Sequence, residues 1–170
     1  GTVTETTEYP DGSVKEVKTA TDGTVTTTKT EASGVVHETT QTPNGNVYIS
    51  VSIPASTATD VDIVLDEVAA NVTTVPMDPD TGEIIKTAVP GDDGYVIRVD
   101  HSADLILVDN AKDFNDTTGH WASDAINFVA AREIFSGTSN TAFSPDASMT
   151  RAMLMTVLAR FDGQDTAGGS

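Results

Sequence analysis

The sequence predicts a mainly β chain with a C-terminal helical unit, and three observations predict it. Turn pairs recur every eleven residues at the start: Asp11-Gly12, Asp22-Gly23, Ser33-Gly34 and Asn44-Gly45, each glycine followed two positions later by valine. The middle of the chain holds short apolar runs separated by Pro, Gly and Asp clusters. Only near Asn110 does the apolar spacing change from the alternation of a strand to the three-and-four spacing of a helix.

The eleven-residue repeat predicts a five-stranded antiparallel meander over residues 2–53, within a first module of residues 1–53. Fourteen threonines fall in the first 42 residues, and Thr and Val suit extended chain. Asp-Gly and Asn-Gly favour the two-residue type I′ hairpin turn, so nine strand residues plus two turn residues account for the period. That register sets Glu5, Lys18, Thr27, Thr40 and Ile49 in one cross-strand column, and Thr7, Glu16, Lys29, Glu38 and Val51 in another. Opposite charges then stand side by side, and one mixed apolar face opposes one wet face. A Thr-rich linker without a packed core is the other reading of this segment.

Residues 54–110 read as a small acidic β module of sandwich type. Candidate strands are Val61–Glu67, Val72–Val75, Glu83–Val89, Gly94–Asp100 and Asp104–Asp109, with turn clusters at 78–82 and 90–94 between them. This stretch carries 12 acidic and 2 basic residues.

From residue 111 to 163 the pattern is helix, loop, helix. Trp121, Ala125, Ile126, Val129 and Ala130 share one face of a helix over 120–133, and Leu154, Val157, Leu158 and Phe161 share one face of a second over 150–161. Thr150 is the expected N-cap of the second helix and Gly163 its end. Residues 164–170 are a polar, Gly-rich tail expected to be flexible.

The charge balance excludes several functions. With Lys+Arg 9 and Asp+Glu 26 the formal net charge is −17, which suits neither a nucleic-acid backbone nor an anionic membrane surface. No apolar run approaches the length of a membrane span, so no membrane insertion is expected. The opening Gly1-Thr2-Val3-Thr4 has neither a charged leader nor an apolar signal region, so an export signal is expected elsewhere in a longer protein. There is no cysteine, and hence no disulfide or thiolate chemistry.

Catalysis finds no support: no Gly-x-Ser-x-Gly elbow and no phosphate loop occur, and pairs such as Asp92-Asp93 stand in Gly-flanked turns. No cofactor and no metal site are expected. His37, His101 and His120 are not at metal-ligand spacing. Asp78-Pro79-Asp80-Thr81-Gly82-Glu83 alternates oxygen ligands but lacks the rest of a calcium loop, and a hairpin turn explains it better.

The third segment carries a family resemblance. Phe114-Asn115-Asp116, His120-Trp121-Ala122, Ala125-Ile126, Ile134-Phe135-Ser136-Gly137, Phe143-Ser144-Pro145, Thr150-Arg151-Ala152 and Leu158-Ala159-Arg160, in that order and spacing, resemble one S-layer homology repeat over about residues 113–163. The resemblance implies a non-catalytic, extracellular module of a bacterial cell wall or S-layer. It also implies secondary cell-wall polysaccharide and neighbouring repeats of the full chain as partners. The candidate glycan-binding residues it implies are Arg151, Trp121, Asp116 and Gly137. Arg151 stands at the family's Thr-Arg-Ala-Glu arginine, whose planar fork suits an acidic sugar. Each has a plainer alternative: Arg151 as a solvated surface cation, Trp121 as a core residue of its helix, Asp116 as a brace or cap at the start of that helix.

The chain departs from the family pattern at Met153, where a Glu would complete a capping box, and at Glu133, where a Gly would end the first helix. Another reading makes the β modules an adhesin-like or spacer part of a surface protein or secreted enzyme, with the helical repeat purely structural.

Overall fold

A computed structural model describes residues 1–56, 60–69, 71–91 and 94–162. The expected Asp92-Asp93 turn, the end at Gly163 and the tail 164–170 lie outside the described residues. The chain is mainly β with two C-terminal helices, and it divides into two compact units. One comprises Gly1–Ala69 with Pro76–Val108, the other Ala70–Val75 with Asp109–Ser170.

The repeat builds β1 (Val3–Glu8), β2 (Val14–Thr19), β3 (Val25–Thr30), β4 (Val36–Gln41) and β5 (Val47–Ser52), all antiparallel neighbours. The remaining strands are β6 (Val61–Leu65), β7 (Thr74–Met77), β8 (Val89–Gly91), β9 (Gly94–Val99) and β10 (Ala103–Asp109). They do not form a sheet of their own. The larger sheet runs β1-β2-β3-β4-β5-β10-β7, and β6-β9-β8 form a second one. The expected boundary at residue 53 therefore falls inside the first unit, where Leu105 pairs with Ile49.

The meander's register differs from the expected one by a residue. Glu5 faces Val17, not Lys18, and Thr27 faces Thr39, not Thr40. The hairpin loops are the cause. Tyr9 N donates to Ser13 O at 2.9 Å and Gly12 N to Tyr9 O at 3.0 Å, and the same pair of bonds recurs at Ala20, Glu31 and Thr42. Each loop is thus a three-residue connection ending in a left-handed glycine (Gly12 φ 85°, Gly23 φ 88°). The residue before each of these glycines is not left-handed, as a type I′ turn would require. The Asp side chains reinforce the loop: Asp11 Oδ1 accepts from Ser13 N at 2.9 Å, and Asp22 Oδ1 from Thr24 N at 2.9 Å.

A one-residue slip turns every side chain of β2 and β4 to the other face. Lys15, Val17, His37 and Thr39 therefore share the face of Ile49 and Val51, while Glu16, Lys18 and Glu38 lie opposite. The expected charge ladder is replaced: Lys15 stands opposite Lys29. Lys15 turns instead to Asp66 at 2.7 Å and Glu67 at 3.4 Å. The hydrogen bond from Glu67, then Lys15, hold Asp66 down to about 2, while burial first pushes Glu67 up. His37 is buried 3.5 Å from Glu31, and burial, then Lys29, lower its pKa.

Two expected strands shift for local reasons. Asn71 Oδ1 accepts from Thr73 N and Thr74 N, both at 2.9 Å, a turn that delays β7 to Thr74. The expected strand 83–89 is an isolated Met77–Ile84 bridge followed by a turn, and β8 begins only at Val89. The run 78–83 is a turn in which Asp78 Oδ1 accepts from Asp80 N and Thr81 N.

In the second unit α1 spans Ser123–Ala131 and α2 spans Arg151–Phe161. The unit's core is Phe114, Ile126 and Ala130, with Ala122 and Phe143 packed against it. Helix α1 ends in a Schellman arrangement: Glu133 N donates to Ala130 O at 3.0 Å and Ile134 N to Val129 O at 3.1 Å. Glu133 takes the left-handed position with φ 56°, although it is not glycine. Its 3.4 Å ion pair with Lys112 is half-exposed and adds little. Glu133→Gly is therefore expected to stabilise the protein by about 0.5–1 kcal/mol, after the greater freedom of the unfolded glycine is set against the relieved strain. Thermal denaturation should show a melting temperature about 2–3 °C higher.

Candidate functional site

The second unit carries two clefts, and α2 supplies a wall to the first. Thr150 starts that helix as expected: its hydroxyl accepts from Met153 N at 3.2 Å, which satisfies one of the free amides of the first turn. Residues nine apart stand about half a turn round a helix and roughly 13 Å along it. Arg151 and Arg160 therefore lie on opposite sides of α2.

Arg160's side, with Met153, Thr156 and Val157, lines a cleft of about 260 Å³ closed by Phe135, Ser136, Gly137 and Phe143. Arg160 also lines a second cleft of about 710 Å³, with Lys112, Asn115, Ser136 and Thr141. Its guanidinium donates to Ser136 Oγ at 3.1 Å, so one cation stands where both clefts meet. Arg151's side carries Leu154, Met155, Leu158 and Phe161, which are 43–61% exposed. This is an apolar stripe with no buried residue on it.

The loop that closes the first cleft is held by backbone geometry. Gly137 has φ 71°, and a Cβ there would meet Ala142 O at 2.6 Å and Phe114 Cε1 at 2.9 Å. Asp116 grips the same loop, its two carboxylate oxygens accepting from Phe143 N at 2.9 Å and Ser144 N at 2.8 Å. Those two bonds hold its carboxyl below the usual carboxylate range. Asp116 does not cap α1, whose N-cap is Ala122 without a side-chain bond. Phe114 and Phe143 meet edge to face at 5.4 Å beneath the loop.

Trp121 is not a core residue. It is 91% exposed, because α1 begins two residues later and His120-Trp121 form the turn before it. Ser123 N donates to His120 O at 3.0 Å, and Ala122 N to His120 Nδ1 at 3.2 Å. The indole lies beside the His120 ring, 5.6 Å between centroids. Of the four residues named from the sequence, Gly137 alone lines either of these two clefts. Asp116 supports the cleft's loop, and Arg151 and Trp121 stand outside it.

Two arginines were given no site role from the sequence, although Arg160 belongs to the Leu158-Ala159-Arg160 motif of the resemblance. Arg160 could have been found by its place seven residues after Met153 and four after Thr156, on one helix face. Arg132 gave no signal at all. It is fully buried, with Nη1 donating to Val72 O at 2.9 Å and Phe128 O at 3.2 Å, and its guanidinium 3.7 Å from the Phe128 ring centroid. Asn110 Nδ2 donates to Ala131 O at 2.6 Å, so the end of α1 is fastened at two points. Among the described residues no cluster of His, Asp and Glu could hold a metal ion. No helix among them is long and apolar enough to cross a membrane.

Comparison with known proteins identifies part of this unit. Residues 113–152, under a quarter of the chain, match the family model described as the S-layer homology domain. Such domains are non-catalytic modules associated with bacterial cell surfaces, where they anchor proteins to cell-wall polysaccharide. The match takes in Asp116, Trp121, Gly137 and Arg151 and ends two residues into α2, before Arg160. No curated protein and no solved structure matches the chain.

Proposed function

We propose that the S-layer homology domain at residues 113–152, completed by α2, holds an exported bacterial protein to an acidic secondary cell-wall polysaccharide, through Arg160, Ser136 and Gly137. The observation that supports this reading most is that the matched residues build the loop walls of both clefts, with one guanidinium at their junction. Arg160 supplies donors matched to a sugar carboxylate, Ser136 a hydroxyl, and Gly137 an approach without a side chain. Asp116 positions the loop and does not touch the sugar. The exposed indole of Trp121 offers a separate flat surface for a sugar ring.

Arg151 belongs to the other side of α2, and the two arginines are too far apart to share one carboxylate. Its neighbours Leu154, Leu158 and Phe161 form a stripe suited to burial against another repeat of the longer protein. A glycan contact at Arg151 then requires that repeat as its second wall. The adhesin reading receives less support: of the large exposed apolar residues described in the first unit, Val64 and Val89 flank Val96 in one row of the smaller sheet, and Val3, Tyr9 and Tyr48 belong to the larger one or its first hairpin loop.

The test is retention on purified cell wall carrying its secondary polysaccharide. Arg160→Ala is expected to weaken retention at least about tenfold, the loss of one charge-assisted contact. Arg151→Ala should leave this chain's retention nearly unchanged and should weaken the full-length protein. Loss with Arg151→Ala alone in this chain would overturn the assignment to Arg160.

A further inference from the structure

The four hairpins of the meander are copies of one another in register as well as in sequence. Val3 pairs with Thr19, Val14 with Thr30, Val25 with Gln41 and Val36 with Ser52, the same offset each time. A sheet built this way has no internal feature that stops it. Burial rises with distance from β1: all six residues of β1 are exposed, β2 is half-buried, and β3, β4 and β5 each contain fully buried positions. Among the described residues β1 pairs with β2 alone, and its other edge is open. Tyr9 N points inward to Ser13 O, and the direction of backbone groups alternates along a strand. Thr4, Thr6 and Glu8 therefore present their N–H and C=O groups on the open side.

The repeat itself names what fits there. Gly1-Thr2-Val3 stands at the same phase as Gly12-Ser13-Val14, Gly34-Val35-Val36 and Gly45-Asn46-Val47, and it is identical to Gly23-Thr24-Val25. The turn glycine that connects one strand to the next is thus already in place ahead of β1. We infer that the open edge of β1 is a docking site for one more antiparallel strand of this same eleven-residue repeat. Charge favours such a strand over a second copy of the protein. β1 carries Glu5 and Glu8 and no cation, and two chains of net charge −17 repel. A strand like β2 brings Lys15 diagonal to Glu5, as β2 does on the inner side. The exposed carboxylates of an otherwise polar edge discourage pairing with unlike chains.

The inference is tested by placing a copy of residues 13–22 directly before Gly1, which reproduces the junction Asp22-Gly23-Thr24-Val25. Amide hydrogen exchange of Thr4, Thr6 and Glu8 is then read with and without the addition. The expected result is exchange slowed at least about tenfold at these three amides in a monomeric protein, the signature of new ladder bonds. The same extension carrying Glu16→Pro in the copied strand should not slow them: Glu16 of β2 turns its backbone groups to the following strand, opposite Thr28, so its copy would face Thr6, and proline cannot serve that ladder. Unchanged exchange with the first extension would overturn the inference. So would protection in the unextended protein that grows with concentration, because a second copy would then be the occupant.

Discussion

Arg132→Ala is expected to cost about 3 kcal/mol or more and to unfold the end of α1 before the rest of the protein. The guanidinium is fully buried, and it satisfies the carbonyls of Val72 and Phe128 while stacking on the Phe128 ring. Alanine removes the donors and leaves those carbonyls buried without their partner, at about 1–3 kcal/mol each, together with a cavity the length of the side chain. Arg132→Lys should recover part of the loss only, because an ammonium has no planar face to stack on the Phe128 ring and is more strongly hydrated, so that its burial costs more. The measurement is amide exchange of α1 alongside chemical denaturation. Exchange at Ile126–Ala131 as slow as in the parent would show that the clamp is dispensable.

Gly137→Ala is the second large effect, at about 2–4 kcal/mol. Part is the left-handed backbone, roughly 1–2 kcal/mol for a residue with a Cβ. The rest is the collision with Ala142 O at 2.6 Å and Phe114 Cε1 at 2.9 Å. Neither neighbour moves cheaply. Ala142 O accepts from Thr138 N at 2.9 Å and Ser139 N at 3.1 Å, and the Phe114 ring is part of the core. The loss should appear both in the denaturation midpoint and in retention on cell wall, because the same loop forms the cleft. A variant with parent stability and lost retention would mean that Gly137 acts on the sugar alone.

The meander was legible because an eleven-residue period of turn glycines leaves few other folds for Thr-rich chain. Its register was not, because a two-residue and a three-residue loop both fit that period. The signal that separates them is local: Pro10 and Pro43 precede Asp11 and Asn44, and proline's fixed φ suits the second position of a type I turn that ends on glycine. The joining of β10 to β5 was beyond reach for another reason. Alternation marks a strand but not its neighbour, and the two are about fifty residues apart.

In the helical unit, Thr150 could be read from residue type and spacing, while Gly137 came only with the family resemblance. Trp121 could not, since an apolar residue two positions before a helix shares its stripe on paper while the chain has yet to enter the helix. Arg132 reads as an ordinary cation at a helix C-terminus, where solvent-facing arginines are common. Only packing shows that it is buried.

The most direct test of anchoring compares two preparations of the same cell wall, one intact and one stripped of its secondary polysaccharide. Retention of the unaltered chain on the intact wall, with release from the stripped one, is the predicted result. Equal retention on both would contradict polysaccharide anchoring through this domain, and so would retention on neither.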